Sequence, residues 1–279
     1  MPTDTAVIVA AYNAERTIRQ AIESVLAGTL ACDIFVVDDA SRVPAADALG
    51  PLAVRVTIIR FDQNRGPAAA RNAALARILV GGYKYAAIMD ADDISHPTRL
   101  AVQRTFLEEN PNIGAVGAWV RLFDDHTGKT VFSLNRAADP ASIRKLMYFN
   151  VGISHATTVL RVEALRRVGV YNENYAAAED YELLRRIAMQ YELANIPECL
   201  LSYRISPGGQ SRSRRQRQLY DRLRTQLKYF DAIEWRAWAG VCKTMLLMLI
   251  PPTLTGAFKL KLRGIGTPGS AFPAPERKP

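Results

Sequence analysis

Three carboxylates fall within four positions of "YAAIMDADDISHP" (Tyr85–Pro97), at Asp90, Asp92 and Asp93, directly after an apolar run. Acids this close repel one another and resist burial, so they call for a positive charge or for open solvent. A divalent cation with oxygen ligands is one answer, and a solvated loop is the cheaper one. A second acidic pair, Asp38-Asp39, ends "DIFVVDD", and a third, Glu179-Asp180, opens "EDYELLRRI". Alone, each pair has a plain explanation. Asp38-Asp39 fits a turn at a strand end, and Glu179-Asp180 complements the dipole of a helix start.

The elements around these acids favour chemistry over solvation. "TAVIVAAY" (Thr5–Tyr12) is a β-branched apolar run of the kind covered on both faces of a sheet. After Asn13, Ile18, Ala21, Ile22, Val25 and Leu26 recur at helical spacing until Gly28. "DIFVVDD" (Asp33–Asp39), "VRVTIIR" (Val54–Arg60), "KYAAIMD" and "IGAVGAWVRLF" read as further strands. Between them, "GPAAARNAALARILVGG" places Pro67 in a first helical turn and Gly81-Gly82 at its stop, and another helix runs from near Pro97 to Asn110. Strand and helix in alternation predict an open, largely parallel α/β sheet, which binds ligands beyond the carboxyl ends of its strands. Tyr12-Asn13, Asp38-Asp39 and Asp90/Asp92/Asp93 all lie at such ends. Three polar clusters on one edge predict a site.

Neither GxGxxG nor GxxxxGK[ST] occurs after the first strand, where the chain reads "AAYNAE". Without a glycine-rich phosphate cradle, a metal is needed to manage phosphate charge, and the carboxylates of "DADD" suit a hard cation bridging to a diphosphate.

The chain of 279 residues has room for one large domain with an appendage, and its apolar content of 49% fits a full core. Cys32, Cys199 and Cys242 are widely spaced and form no CxxC pair, which predicts no disulfide framework or zinc site. The opening "MPTDTAVIVAAYN" lacks a basic segment ahead of its apolar run, so no signal peptide is expected. The net charge of +9 is uneven: residues 1–201 carry 21 Lys and Arg against 23 Asp and Glu, and residues 202–279 carry 15 against 4. A boundary near Ser206–Ser211 and a tail that meets something anionic follow.

Taken in order, "VIVAAYNAE", "VVDDAS", "NRGPAAARN", "MDADD", "HPTRLAVQ", "VGVYNENYAAAEDYELLRRI" and "LLSYR" resemble glycosyltransferase family 2 over roughly Thr5–Ser211. The resemblance implies a GT-A fold, Rossmann-like, and an inverting transfer from a nucleotide-activated sugar. It implies that Ala11, Tyr12, Asn13 and Glu15, with Asp39, hold the base and ribose, and that Arg71 lies beside the nucleotide. It further implies that Asp90 approaches the ribose and that Asp92 ligates Mn²⁺ or Mg²⁺, with Asp93 assisting. Asp180 matches the catalytic base, Glu179 its neighbour that orients it or meets the acceptor, and His155 a position facing acceptor or diphosphate. One departure is visible. The histidine that often follows "YR" by two residues, sometimes a third metal ligand, is Ser206 here.

From Ser211 the chain is basic, with Leu219, Leu223, Leu227, Phe230 and Ile233 at helical spacing and Trp235 and Trp238 beside "MLLMLI". Pro251-Pro252 cut that run short of the ~20 apolar residues a spanning helix needs. A basic amphipathic tail predicts a helix lying on an anionic membrane surface; the alternative is a helical pair packed on the domain. Charge alone would suit nucleic acid, but no recognition motif accompanies it, and none is expected as partner.

The expectation is therefore a GT-A catalytic domain over 1–210, a basic helical tail over 211–265 and a disordered end over 266–279. The protein would be a cytoplasmic glycosyltransferase, peripheral on the inner face of the cell membrane. Its partners would be a nucleoside-diphosphate sugar, a UDP-sugar first, and a glycan or lipid-linked acceptor of surface polysaccharide synthesis. Two rivals stand beside it: a noncatalytic scaffold that keeps the fold, and a nucleotidyltransferase, which the absence of a basic glycine-rich loop disfavours.

Overall fold

The structure is a computed structural model and describes residues 3–125, 127–205 and 215–250. The strands are β1 (Thr5–Ala11), β2 (Asp33–Asp38), β3 (Thr57–Arg60), β4 (Tyr85–Asp90), β5 (Ile94–Ser95), β6 (Ile113–Asp124), β7 (Thr130–Leu134), β8 (Val159–Arg161) and β9 (Glu192–Ile205). The helices are α1 (Ile18–Leu26), α2 (Ala45–Leu49), α3 (Pro67–Val80), α4 (Arg99–Glu109), α5 (Pro140–Leu146), α6 (Val162–Val168), α7 (Glu179–Ile187), α8 (Arg215–Lys228) and α9 (Trp235–Leu249).

Along β1 the side chains alternate between two cores. Ala6 and Ile8 face the cluster that includes Ala70, Ala74 and Leu184, while Val7, Val9 and Ala11 face the one with Ile18, Ile22 and Leu100. Period-2 alternation with both faces apolar is the signature of a central strand. Helix α1 answers with Ile18, Ala21, Ile22 and Val25 buried, the residues its spacing singles out.

The strand order is β3-β2-β1-β4-β8-β6-β9-β5, with β7 paired to β6. Pairing is parallel from β3 through β4, and again between β6 and β9. Beyond β4 the sheet is mixed, because β8 enters antiparallel between β4 and β6. The chain order reverses between β1 and β4, and such a reversal opens a crevice at the strands' carboxyl ends. Register aligns the polar ends there: Ala11 pairs with Asp38, and Ala10 with Asp90. The expected third strand is shorter than read, because Gly50–Arg55 forms a 3-10 turn before β3.

Helices α8 and α9 are packed on the domain, which is the second of the two arrangements the tail allowed. Lys228 Nζ and Tyr229 Oη donate to the buried Glu182 Oε1 at 2.9 and 2.8 Å, and Gln226 Nε2 donates to the Tyr148 carbonyl at 2.8 Å. On α9, a β-carbon at Gly240 would lie 2.0 Å from that same carbonyl oxygen, so only glycine permits the approach. The boundary near Ser206–Ser211, the stretch 251–265 and the end 266–279 lie outside the described residues.

Candidate active site

The loops after β1 and β2 are tied together. Asn13 N donates to Ser41 Oγ at 3.0 Å, and Asn13 Oδ1 accepts from Arg42 N at 2.9 Å. Asn13 and Ala40 both adopt positive φ, at 51° and 61°, so each loop turns sharply at the strand end. Tyr12 projects from this junction, exposed, and Glu15 pairs with Arg42 at 3.7 Å.

The two aspartates after β2 divide the work. Asp38 is buried and accepts from Ser41 N and Ala45 N, each at 2.9 Å, and from the Arg60 guanidinium. Burial raises its pKa, but these hydrogen bonds and Arg60 prevail and hold it below the usual carboxylate range. Asp39 turns the other way. Its Oδ1 accepts from Arg65 N at 2.7 Å, and its Oδ2 from Gly66 N at 2.8 Å and Asn64 Nδ2 at 3.0 Å. Asp39 thereby fixes the segment that leads into α3, where Gly66 takes φ 87°. It binds chain first.

The DADD turn rests on two buried arginines. Arg99 Nη2 donates to the Ile88 carbonyl at 2.7 Å, and its charge opposes that of the fully buried Asp93. Arg204, at the end of β9, donates through Nε to the Asp92 carbonyl at 2.8 Å and through N to Asp93 Oδ1 at 3.2 Å. Its Nη groups reach Gln20 Oε1, at 2.6 Å, and Asp125. Burial and the charge of Asp90 push Asp92 up to about 6, and burial with both neighbours raises Asp93 well above the usual carboxylate range. Asp93 Oδ2 has no partner. Among the described residues no three His, Cys, Asp or Glu side chains converge as a metal cage.

Between this turn and α7 sits Arg71, 6% exposed. Its Nη1 donates to Glu179 Oε1 at 2.8 Å and its Nη2 to Asp90 Oδ1 at 3.2 Å, while its plane lies 5.7 Å from the Tyr171 ring centroid. Tyr171 Oη in turn meets His155 Nε2 at 2.9 Å. Burial and then the Arg71 charge push His155 well below its usual pKa, so its imidazole is neutral. Asp180 begins α7 beside Glu179. Burial, then the Glu179 charge, push its pKa up to about 6, against the pull of Arg71 and Arg222.

The structure gathers Asp90, Arg71, Glu179, Asp180 and His155 into one network, and places Asn13, Glu15 and Asp39 on the adjoining loops. Reading the sequence missed Arg204 as more than part of "LLSYR", and Tyr171 as more than part of "VGVYNENYAAAEDYELLRRI". It also gave "HPTRLAVQ" no architectural role. Gln103 Nε2 bonds the Val116 and Thr157 carbonyls at 3.2 and 2.8 Å, stitching α4 to β6 and the turn before β8.

Residues 6–169 match Glycosyl transferase family 2, and the chain belongs to that family. It is 30% identical over 211 residues to an uncharacterized glycosyltransferase of Haemophilus influenzae, covering 71% of this chain and 64% of that protein. It is 29% identical over 208 residues to the amylovoran biosynthesis glycosyltransferase AmsE of Erwinia amylovora, covering 71% and 75%. Among solved structures it is similar to the mannosyltransferase PcManGT of Pyrobaculum calidifontis, in complex with GDP-Man and Mn²⁺. That likeness has a TM-score of 0.61 at 19% identity and covers 96% of this chain and 77% of that one. The fold is GT-A.

Proposed function

We propose that the protein transfers a sugar, with inversion, from a nucleoside-diphosphate donor to a glycan or lipid-linked acceptor in surface polysaccharide synthesis. The observation that carries this reading is Arg71, which joins the acid after β4 to the acid pair opening α7. One guanidinium thus couples the strand-end crevice to Glu179, the neighbour of the proposed base Asp180. Membership of the family and likeness to AmsE support transfer and a polysaccharide context. Uridine is the first base to test.

A divalent cation fits the residues present. Asp92 is a carboxylate whose neighbours Asp90 and Asp125 add repulsion, and Asp93 keeps an unpartnered buried oxygen. Carboxylate oxygens of this kind would suit a hard cation such as Mg²⁺ or Mn²⁺. Asp92 would hold it, and Asp90 would approach the ribose. When bound, the cation offsets the charge that develops on the departing diphosphate.

The chain's own groups do the rest. Asn13 and Asp39 fix the loops where base and ribose would lie, and Tyr12 offers an exposed ring there. Asp180 accepts the proton of the acceptor hydroxyl as that oxygen bonds to the anomeric carbon. The bond from that carbon to the phosphate oxygen breaks in the same displacement, so the configuration inverts. Arg71 holds Glu179 and Asp90 in place throughout.

A thermal-shift panel of nucleoside diphosphates and nucleotide sugars, with and without Mn²⁺, tests the donor. A metal-dependent stabilisation of about 2.7 kcal/mol is expected at 100-fold saturation. Asp92→Asn should abolish its metal-dependent part in a folded protein. An unchanged metal-dependent shift in that variant removes Asp92 from the site.

The tail is proposed to seat the enzyme on an anionic membrane surface. Trp235, Trp238, Met245, Leu246 and Leu249 stay exposed on α9 although the helix pair is docked. Among the described residues no helix is long and apolar enough to cross a membrane. Aromatic and aliphatic side chains beside basic residues are the chemistry of an interfacial helix. Leu246→Ser with Leu249→Ser should release the protein from vesicles containing anionic lipid without changing nucleotide binding. Equal sedimentation of variant and wild type with those vesicles rejects this seat.

A further inference from the structure

Helix α7 carries the Glu179-Asp180 pair at its first turn, where Asp180 Oδ1 accepts from Tyr181 N at 2.7 Å, yet its N-cap residue supplies no side chain. Ala178 occupies the N-cap position, with φ −151° and no side-chain hydrogen bond. The preceding residues, Ala176 and Ala177, are equally short, so their backbone amides need an acceptor from elsewhere.

That acceptor comes from α8. Asp221 is fully buried, and its Oδ2 accepts from Ala176 N at 3.0 Å and from Ala177 N at 3.1 Å. Arg217 stands 3.5 Å from the same oxygen. One turn along, Arg224 Nη1 donates to the Asn174 carbonyl at 3.1 Å, and its guanidinium lies 4.5 Å from the Tyr175 ring centroid. Asn174 to Ala177 are thus gripped residue by residue from one helix. Arg71 holds the same turn from the opposite side through Glu179. In the sequence, Asp221 is the one acid among the basic residues of 211–228. A buried carboxylate in such a run needs a reason, and the two amides supply one.

We infer that Asp221 is a positioning residue for transfer: α8 clamps the segment entering α7, and so sets where the Asp180 carboxylate meets the acceptor hydroxyl. The inference rests on Asp180 being the base. It makes the C-terminal helix pair part of the catalytic unit, with a task separate from any contact its outer face makes. The hydrogen bonds Asp221 accepts come from the entry of α7, away from those that tie the donor loops after β1 and β2. Donor binding should therefore not depend on it.

The test compares Asp221→Ala and Asp221→Asn with Arg215→Ala in the full chain. Arg215 ties α8 to the end of α9, through the Leu247 and Ile250 carbonyls, without touching the α7 entry. Three readouts are taken: amide hydrogen exchange over 176–182, UDP affinity with Mn²⁺ by calorimetry, and kcat and KM for transfer. In Asp221→Ala, exchange over 176–182 should quicken and kcat should fall by about 10²-fold, the scale of an ångström's misplacement, with UDP affinity and donor KM unchanged. Asn keeps an acceptor oxygen and should recover most of that loss. Arg215→Ala should leave kcat alone.

A wild-type kcat in Asp221→Ala overturns the inference, as does an equal loss in Arg215→Ala at equal stability. If Asp221→Ala does not fold, Asp221→Glu, which keeps the charge but displaces the carboxylate, should show the same kcat loss. Absence of transfer by the wild type would sink the glycosyltransferase reading instead. Exchange over 176–182 then still decides the clamp, which unaltered protection in the variant would refute.

Discussion

Asp180→Asn should bind donor and metal like the wild type while transfer falls by about 10²–10⁴-fold, the usual contribution of a positioned general base. The amide keeps the carboxylate's shape but cannot accept a proton. Its effect should therefore sit in kcat, because the interaction is made in the transition state. The acid limb of the wild-type profile adds a second check. Burial and the Glu179 charge push Asp180 up to about 6, so transfer should rise with pH through about 6 and level off above it. Stability runs the other way. A carboxyl that holds its proton more tightly folded than unfolded favours the folded state in acid, and that contribution is lost as pH rises through the folded pKa. Asp180→Asn should therefore be more stable than wild type at neutral pH, and the difference should close in acid. Full transfer by the variant, or a product that retains the donor's anomeric configuration, would remove Asp180 from the mechanism.

Arg71→Met should cost about 3–5 kcal/mol of folding stability, the scale of stranding a buried charge. Burial works against the Arg71 charge, and Glu179 and Asp90 more than offset that penalty. Removing the guanidinium strips the buried Glu179 of its partner and leaves the half-buried Asp90 without its own. The urea midpoint should drop sharply at neutral pH. Asp180 would also lose a neighbour that favours its charged form, so the acid limb of transfer should move to higher pH. Arg71→Lys should not restore either property, because one ammonium cannot make the forked contact to two separated carboxylates. Wild-type stability in Arg71→Met would show that the bridge carries little.

The chemistry-bearing residues were more legible than the architecture around them. The alternation of β1 and the spacing of α1 follow from local periodicity, and both lie where the sequence places them. Asp39, Asp90 and Glu179-Asp180 were visible because acids at strand and helix ends stand out against apolar runs. Their partners were not visible. Arg71 looks in sequence like any cation of an alanine-rich helix, and only the fold brings it between acids 19 and 108 residues away. Strands β5 and β8 are too short to show a period, and β8 sits in the sheet because its neighbours leave a gap for it. The tail was ambiguous for a related reason. Basic residues with leucines at helical spacing suit a lipid surface and a protein surface equally, and the deciding features are single residues such as Gly240 and Asp221.

The grip of Arg204 on the DADD turn has a temporal side. A ribosome delivers β1 to β4 first, and those strands can pair as soon as they emerge, since their contacts lie within the first ninety residues. The turn that follows β4 cannot lock then. Its clamps on Asp92 and Asp93 come from a residue 112 and 111 positions downstream, and its short strand β5 pairs only with β9. Closing a loop of that length is paid in entropy before any contact returns it, so such pairings come late. The nascent chain therefore carries a framed but unset acidic turn until β9 arrives. Synthesis order keeps this turn from setting before β9 is made.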